Sequence, residues 1–347
     1  MARPLRMEVR GGWYHVTARG NHRQPIFRDD RDRRHFLEWL GELGPRFGFL
    51  VVAYVLMPHH YHLMVRTPEG RLSQALHWLN VSYSVWFNRR HGQVGHVFQG
   101  RFKAVLVDGQ GDWAVSLSVY VHLNPVRVQA LGLGKRERSA ERLGLAKPPT
   151  AEAVRERLTR LRAYRWSSYR AYAGYEPGPN WLEAQSLLGR VAPQRPAAQQ
   201  GYRHWVEGQL RQGVTESPWS RLRAQVVLGS EVFWRSLVSD PRSGDEVGAR
   251  AWTRRMGFEE VVAVVEAVKG EKWEAFQDRH GDWGRDLALA VAWRGCALTL
   301  AELGRRAGGM SYGAVAQAIR KVAQRRGREV GLRRAWEEVE QKLKSKK

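Results

Sequence analysis

Apolar positions recur with two periods along the N-terminal half of the chain, and the switches between them mark the elements. Gly12–Ala18 (GWYHVTA) has the aromatic and β-branched content of a strand. Within Asp29–Phe47, the residues Phe36, Leu37, Leu40 and Leu43 fall at helical spacing. Phe49–Met57 (FLVVAYVLM) is an apolar run of strand length. Pro58 interrupts it, and His60–Arg66 (HYHLMVR) resumes as a strand. Leu72, Leu76, Leu79, Tyr83 and Phe87 step by four and three through Leu72–His91, which predicts an amphipathic helix. Phe102–Asp108 reads as a strand, and Asp112–Leu123 as a helix with Asp112 placed to cap it. Asn124-Pro125 ends that helix, because the residue before proline is pushed out of the α region. The order β-α-β-β-α-β-α predicts an α+β fold: a ferredoxin-like, split βαβ antiparallel sheet with helices on one face.

Further along, the pattern becomes helical or irregular. Leu133–Arg162, rich in Lys, Arg, Glu and Ala, reads as an exposed, partly helical excursion. Val191–Gln200 (VAPQRPAAQQ) reads as a linker and Pro241–Gly244 as a loop. An all-α C-terminal region is expected. In Leu298–Arg320 (LTLAELGRRAGGMSYGAVAQAIR), Thr299 caps a helix Leu300–Ala307 and Gly308-Gly309 turns. Ser311 then caps a second helix from about Tyr312 to Arg325. Helix, glycine turn and basic helix is a helix-turn-helix pattern. No internal repeat is present.

Charge sharpens this division. The 347 residues carry 57 Lys+Arg against 34 Asp+Glu, a net charge of +23, and so large a positive field calls for a polyanion. Residues 1–180 hold 28 basic and 14 acidic side chains, residues 181–280 hold 14 and 13, and residues 281–347 hold 15 and 7. Two basic blocks thus flank a nearly neutral, mostly helical connector, the arrangement expected of two nucleic-acid surfaces. The single cysteine, Cys296, excludes an intrachain disulfide and a Cys-type zinc site, and suits a reducing cytosol. No apolar run approaches the ~20 residues of a membrane span, and the first residues lack a signal-peptide core, so no membrane partner is expected.

The chemistry gathers around His60-Tyr61-His62. Alternate strand residues share a face, so His60 and His62 point one way while His59 and Tyr61 point the other. Two imidazoles on one face are half of a divalent-metal site. An HxH pair alone is more often a polar strand face. Tyr120 and Asn124 are four apart on one helical face, so an amide oxygen stands one turn from a phenol. That phenol could attack an electrophile held by the metal. His122, between them, faces elsewhere and has a DNA or packing role. Trp78, Trp86 and Trp113 could stack bases or fill the core.

These motifs resemble a known family. Met57–Val65 (MPHHYHLMV) is similar to the MPNHxHLLV motif of the HUH-type tyrosine transposases. Arg19-Gly20-Asn21 with Ile26-Phe27, Gly95–Ala104 (GHVFQGRFKA), Tyr120–Arg127 (YVHLNPVR) and Arg165–Gly174 (RWSSYRAYAG) match it in order and spacing. The nearest subgroup is the REP-associated tyrosine transposases, and the match covers about residues 8–180. His59 stands where that family usually has Asn. The resemblance implies a metal-dependent single-strand DNA transposase or nickase, acting on single-stranded or hairpin (REP-like) DNA. His60, His62 and Asn124 would bind Mg²⁺ or Mn²⁺. Tyr120 would attack phosphorus, leaving a 5′-phosphotyrosine link and a free 3′-OH. A phenol titrates at about pH 10 and needs cationic help, which a divalent metal supplies. Arg19, Arg101 and Lys103, basic residues inside the motifs, are the expected phosphate contacts.

Residues 283–326 resemble the duplex-binding C-terminal domain of the bacterial replication initiator DnaA. The resemblance implies duplex binding by residues 281–347, with Arg305, Arg306, Arg320 and Lys321 as phosphate contacts. Met310-Ser311-Tyr312-Gly313 departs from the initiator's basic or polar run, so no base preference carries over. A cytoplasmic, nucleoid-associated protein follows, with self-association left open. Three other readings stand beside the enzyme: a host-adopted DNA-binding protein without catalysis, a relaxase-like initiator, and a metal-free RNA-binding sheet.

Overall fold

Three hydrogen-bonded strand pairings turn the sequence pattern into one sheet. In a computed structural model of the chain, residues 7–134, 149–212, 218–223, 226–239, 257–296 and 298–345 are described. They divide into two compact units, Glu8–Pro218 and one built mainly from Trp219–Lys347. The expected loop at Pro241–Gly244 and residues 135–148 of the excursion Leu133–Arg162 lie outside the described residues.

In the first unit, β1 (Gly12–Arg19), β2 (Leu50–Met57), β3 (His60–Thr67) and β4 (Lys103–Val107) adjoin in the order β2-β3-β1-β4. Every neighbouring pair is antiparallel. That is the expected split βαβ sheet. Its crossovers are α1 (Asp30–Gly41) with the short α2 (Leu43–Phe47), and α3 (Leu72–His91). Asp29 caps α1 through a capping box with Asp32, which satisfies two orphan backbone donors of its first turn. Phe36 of α1 packs on Tyr61 of β3, and Asn80 of α3 accepts a hydrogen bond from the Tyr61 hydroxyl at 2.8 Å. Both crossover helices therefore cover the face that Tyr61 points to.

The next helix, α4 (Trp113–His122), takes the opposite face, where its Tyr120 meets His62. The expectation of helices on one face thus holds for the crossovers and not for α4. With both faces of the sheet covered, six consecutive residues of β2 are buried. Asp112 precedes α4 but makes no side-chain capping bond, contrary to expectation. The Asn124-Pro125 stop appears as a single 3-10 turn, Asn124–Val126.

The outer edge of β2 is not left open. Leu56 N donates to Trp166 O at 2.8 Å, and Glu183 N donates to Val51 O at 2.8 Å, so later chain pairs with an edge that would otherwise recruit foreign strands. Beyond α5 (Ala151–Ala163), α6 (Tyr169–Tyr172) and α7 (Gln185–Val191) comes α8 (Arg195–Gln212), which starts inside the stretch expected to be a linker. Pro196 sits in its first turn, where a missing N–H costs nothing. Ala198, Tyr202, Val206 and Leu210 then repeat at four-residue steps and are buried. Proline and alanine in Val191–Gln200 thus begin a helix rather than spacing two domains.

The second unit holds a short hairpin of β5 (Leu222–Arg223) and β6 (Val227–Leu228), and α9 (Glu231–Ser239). It continues with α10 (Phe258–Lys269), α11 (Trp273–Phe276), α12 (Trp283–Gly295), α13 (Leu300–Arg306), α14 (Tyr312–Arg325) and α15 (Val330–Ser345). One apolar core runs from Phe258 to Leu343, so residues 258–280 are integral to it. Thr299 and Ser311 cap α13 and α14 as their spacing predicts. Gly308 and Gly309 turn the chain with φ of 66° and 77°, the left-handed region that glycine enters freely. At Gly304 a Cβ would stand 2.0 Å from Met310 O, so only glycine lets the turn fold back on α13. Among the described residues, no helix is long and apolar enough to cross a membrane.

Candidate active site

Register decides which side chains share the α4 face of the sheet. The hairpin between β2 and β3 is closed by Met57 opposite His60, so Pro58 and His59 form its tip and His60 and His62 fall on alternate positions beyond it. Arg19 lies directly opposite His60 and Thr17 opposite His62, while Lys103 lies opposite Thr17. In antiparallel pairing, opposed residues point to the same face. Arg19, Lys103 and the two histidines therefore rim one surface, with Arg19 and Lys103 exposed. Arg101 is exposed just before β4.

The face also holds a third imidazole. His15, two residues before Thr17 on β1, is 5% exposed, and its Nε2 lies 2.9 Å from His62 Nδ1. Tyr120 closes the cluster from α4. Its ring centroid is 6.0 Å from His62 and 6.1 Å from His15, edge-on to both. Arg127, just past the 3-10 turn, sets its guanidinium carbon 4.4 Å from the Tyr120 ring centroid. Asn124 donates through Nδ2 to Tyr120 O at 3.0 Å and Val121 O at 3.1 Å, so its amide oxygen stays outside both bonds.

Burial makes these imidazoles neutral. It pushes His60 down to about 4, with the charge of Arg19 and the neighbouring His59 adding to it. It pushes His15 down to about 3 and His62 well below the ordinary histidine value, the latter also by His15 and His60. Neutral imidazole is the form that binds metal. His60 Nδ1 is buried and has no hydrogen-bond partner. Leaving such a nitrogen unsatisfied is costly, and a cation would satisfy it. Among the described residues, no cluster of three or more His, Cys, Asp or Glu could hold a metal. A site here would therefore need a donor of another kind beside the two histidines, the part expected of the Asn124 amide oxygen.

Opposite Tyr120 on α4, His122 is fully buried. Its Nδ1 meets the Tyr202 hydroxyl and its Nε2 the Ser168 Oγ, each at 2.7 Å. This is the packing role of the two foreseen: it ties α4 to α8 and to the segment that covers β2. Trp78 lies against Phe47 and Arg46, and Trp86 against His35 and Trp39, so both pack within the fold. Trp113 is half-buried. In the second unit, Arg305, Arg320 and Lys321 are exposed, whereas Arg306 is paired with Glu259 and lies over Phe258.

Sequence reasoning gave no role to His15 or Arg127. For His15 the strand period offered a signal, since His15, Thr17 and Arg19 alternate. Only the register shows that this row stands beside His60 and His62.

Residues 8–123, a third of the chain, match the family described as "Transposase IS200 like". The first unit's sheet and its HxH strand lie within that match, as does Tyr120, while Asn124 and Arg127 lie just beyond it. Among solved structures, the chain is similar to one described as "Structure of the REP associates tyrosine transposase bound to a REP hairpin". The likeness is 17% in identity over 52% of this chain and 89% of that one, with a TM-score of 0.35. No curated protein matches the chain.

Proposed function

We propose that this protein is a metal-dependent single-strand DNA transposase or nickase that cuts and rejoins DNA through a 5′-phosphotyrosine intermediate, at single-stranded or hairpin elements. The observation that carries this is the meeting of Tyr120, from α4, with His62, from β3, on a sheet face rimmed by Arg19 and Lys103. The match of residues 8–123 to IS200-like transposases supports the same reaction class.

His60, His62 and Asn124 would hold Mg²⁺ or Mn²⁺, and the orphaned His60 Nδ1 supports that set. Bound there, such a cation supplies Lewis-acid polarisation of a phosphate oxygen. Arg19, Arg101 and Lys103 would bind the flanking phosphates and fix the strand on the sheet. Tyr120 Oη forms the new bond to phosphorus and loses its proton to solvent. The bond from phosphorus to the 3′ oxygen breaks, and that oxygen takes up a proton to leave a 3′-OH. Attack by a 3′-OH on the phosphotyrosine reverses the exchange, so one phosphodiester is traded for another and no nucleotide is consumed. In the second unit, α13 and α14 would bind duplex DNA as a helix-turn-helix, with Arg305, Arg320 and Lys321 on phosphates. Arg306 would have to exchange Glu259 for a phosphate. Such a protein works in the cytoplasm, at the nucleoid.

The test is incubation of the full chain with labelled hairpin DNA and Mn²⁺, followed by a denaturing gel. The wild type should give a covalent protein–DNA band. Tyr120→Phe should keep DNA affinity and give no band. A band from Tyr120→Phe would assign the nucleophile elsewhere. DNA binding with no band from the wild type would favour a binding protein without catalysis.

A further inference from the structure

The short contact between His15 and His62 is a bond between two buried rings, and one ring must supply the hydrogen. The ring planes are 20° apart and the centroids 5.1 Å apart, a separation close to the 2.9 Å N···N distance plus the reach of each nitrogen from its own centroid. The rings therefore meet nearly end to end and nearly coplanar, the geometry of a straight N–H···N bond. Two arrangements satisfy it. If His15 Nε2–H donates, His62 Nδ1 accepts, and the proton of neutral His62 sits on Nε2. If His62 Nδ1–H donates, Nε2 carries a lone pair.

We infer that His15 is a positioning residue that accepts the Nδ1–H of His62 and so fixes the tautomer and ring orientation in which His62 Nε2 is open to a divalent cation. The inference rests on the proposed metal role of His60 and His62. Metal-binding histidines commonly donate their second ring nitrogen to an outer partner, which sets the tautomer and raises ligand basicity. Here that partner is an imidazole rather than a carboxylate, so the site gains orientation without an added negative charge. Placement is set by the sheet: His15 is diagonal to His62 across the β1–β3 ladder, two positions from its opposed Thr17. The Tyr120 ring stands edge-on to both imidazoles, so rotation of either would disturb the phenol.

The experiment uses the full chain at neutral pH. Nitrogen-15 NMR of labelled histidine reads the His62 tautomer in the wild type, and calorimetry reads Mn²⁺ affinity in the wild type, His15→Gln, His15→Leu and His60→Ala. Thermal unfolding checks that each variant is folded. Wild-type His62 should carry its proton on Nδ1. His15→Leu, without an acceptor, should bind Mn²⁺ about 10- to 100-fold more weakly. His15→Gln, whose side-chain oxygen can accept the same bond, should recover most of the loss. A proton on His62 Nε2 overturns the inference, and so does His15→Gln binding as weakly as His15→Leu or both binding like the wild type. Unchanged Mn²⁺ binding by His60→Ala overturns the metal reading instead, and the NMR assignment still decides the His15–His62 bond separately.

Discussion

Arg127 holds its guanidinium 4.4 Å from the centre of the Tyr120 ring, and its Nη1 donates to the Tyr120 carbonyl at 3.3 Å. One cation thus grips both the backbone and the aromatic face of the residue proposed as nucleophile. The carbonyl contact fixes the end of α4, and the guanidinium over the ring limits its rotation.

Arg127→Lys tests that grip. Lysine keeps the charge but loses the planar fork and the stacking surface. Loss of a cation–π contact costs about 0.5–2 kcal/mol, so covalent-adduct formation should slow by roughly a factor of 2 to 30. Arg127→Gln should slow it further. The measurement is the single-turnover rate of adduct formation on hairpin DNA. Wild-type rates in both variants would show that Arg127 only packs.

Removal of the metal should stop the reaction. EDTA should abolish adduct formation, and Mn²⁺ should restore it. His60→Ala and His62→Ala should each abolish cleavage while leaving hairpin affinity within a few-fold, because the phosphate contacts come from other residues. Full activity in EDTA would exclude a metal mechanism.

His122 sets an acid limit on stability. Burial lowers its folded value to about 3, against an ordinary value of 6.5. Between those limits the unfolded chain binds a proton that the folded chain refuses, so stability is lost as pH falls from about 6.5 towards 3. The slope is about 1.4 kcal/mol per pH unit for this one group. His122→Gln should lower stability at neutral pH, because the bonds to Tyr202 and Ser168 are disturbed. It should also flatten the decline of the melting temperature below pH 6.5. An identical decline in variant and wild type would place the acid sensitivity in other groups.

The second unit should answer to salt. If Arg320 and Lys321 each contact a duplex phosphate, Arg320→Gln with Lys321→Gln should shallow the slope of log affinity against log salt by about 1.8. Cleavage of a short single-stranded hairpin should persist at near wild-type rate. An unchanged duplex slope would mean that α14 does not face duplex DNA. Deletion is a poorer tool, since a cut near residue 280 would divide the core that runs from Phe258 to Leu343.

Much of the first unit was legible in the chain, because local periodicity and chain punctuation set it. The strand runs, the α3 stripe and the Asn124-Pro125 stop each carry their own signal within a few residues. The alternation that puts His60 and His62 on one face needs only the strand period. Four-residue spacing likewise places Tyr120 and Asn124 together. What tertiary structure decided depends on register and on which face a helix chooses. No local signal sends α4 to the face opposite the crossover helices, yet that choice is what brings Tyr120 to His62. The β1–β3 ladder sets His15 against His62, 47 residues away in the chain. The Pro/Ala/Gln stretch that opens α8 looks like a linker until Tyr202 finds His122 and Ser118 in a buried network. In each case the deciding partner is distant in sequence, so the energy that selects the arrangement exists only once the elements have packed.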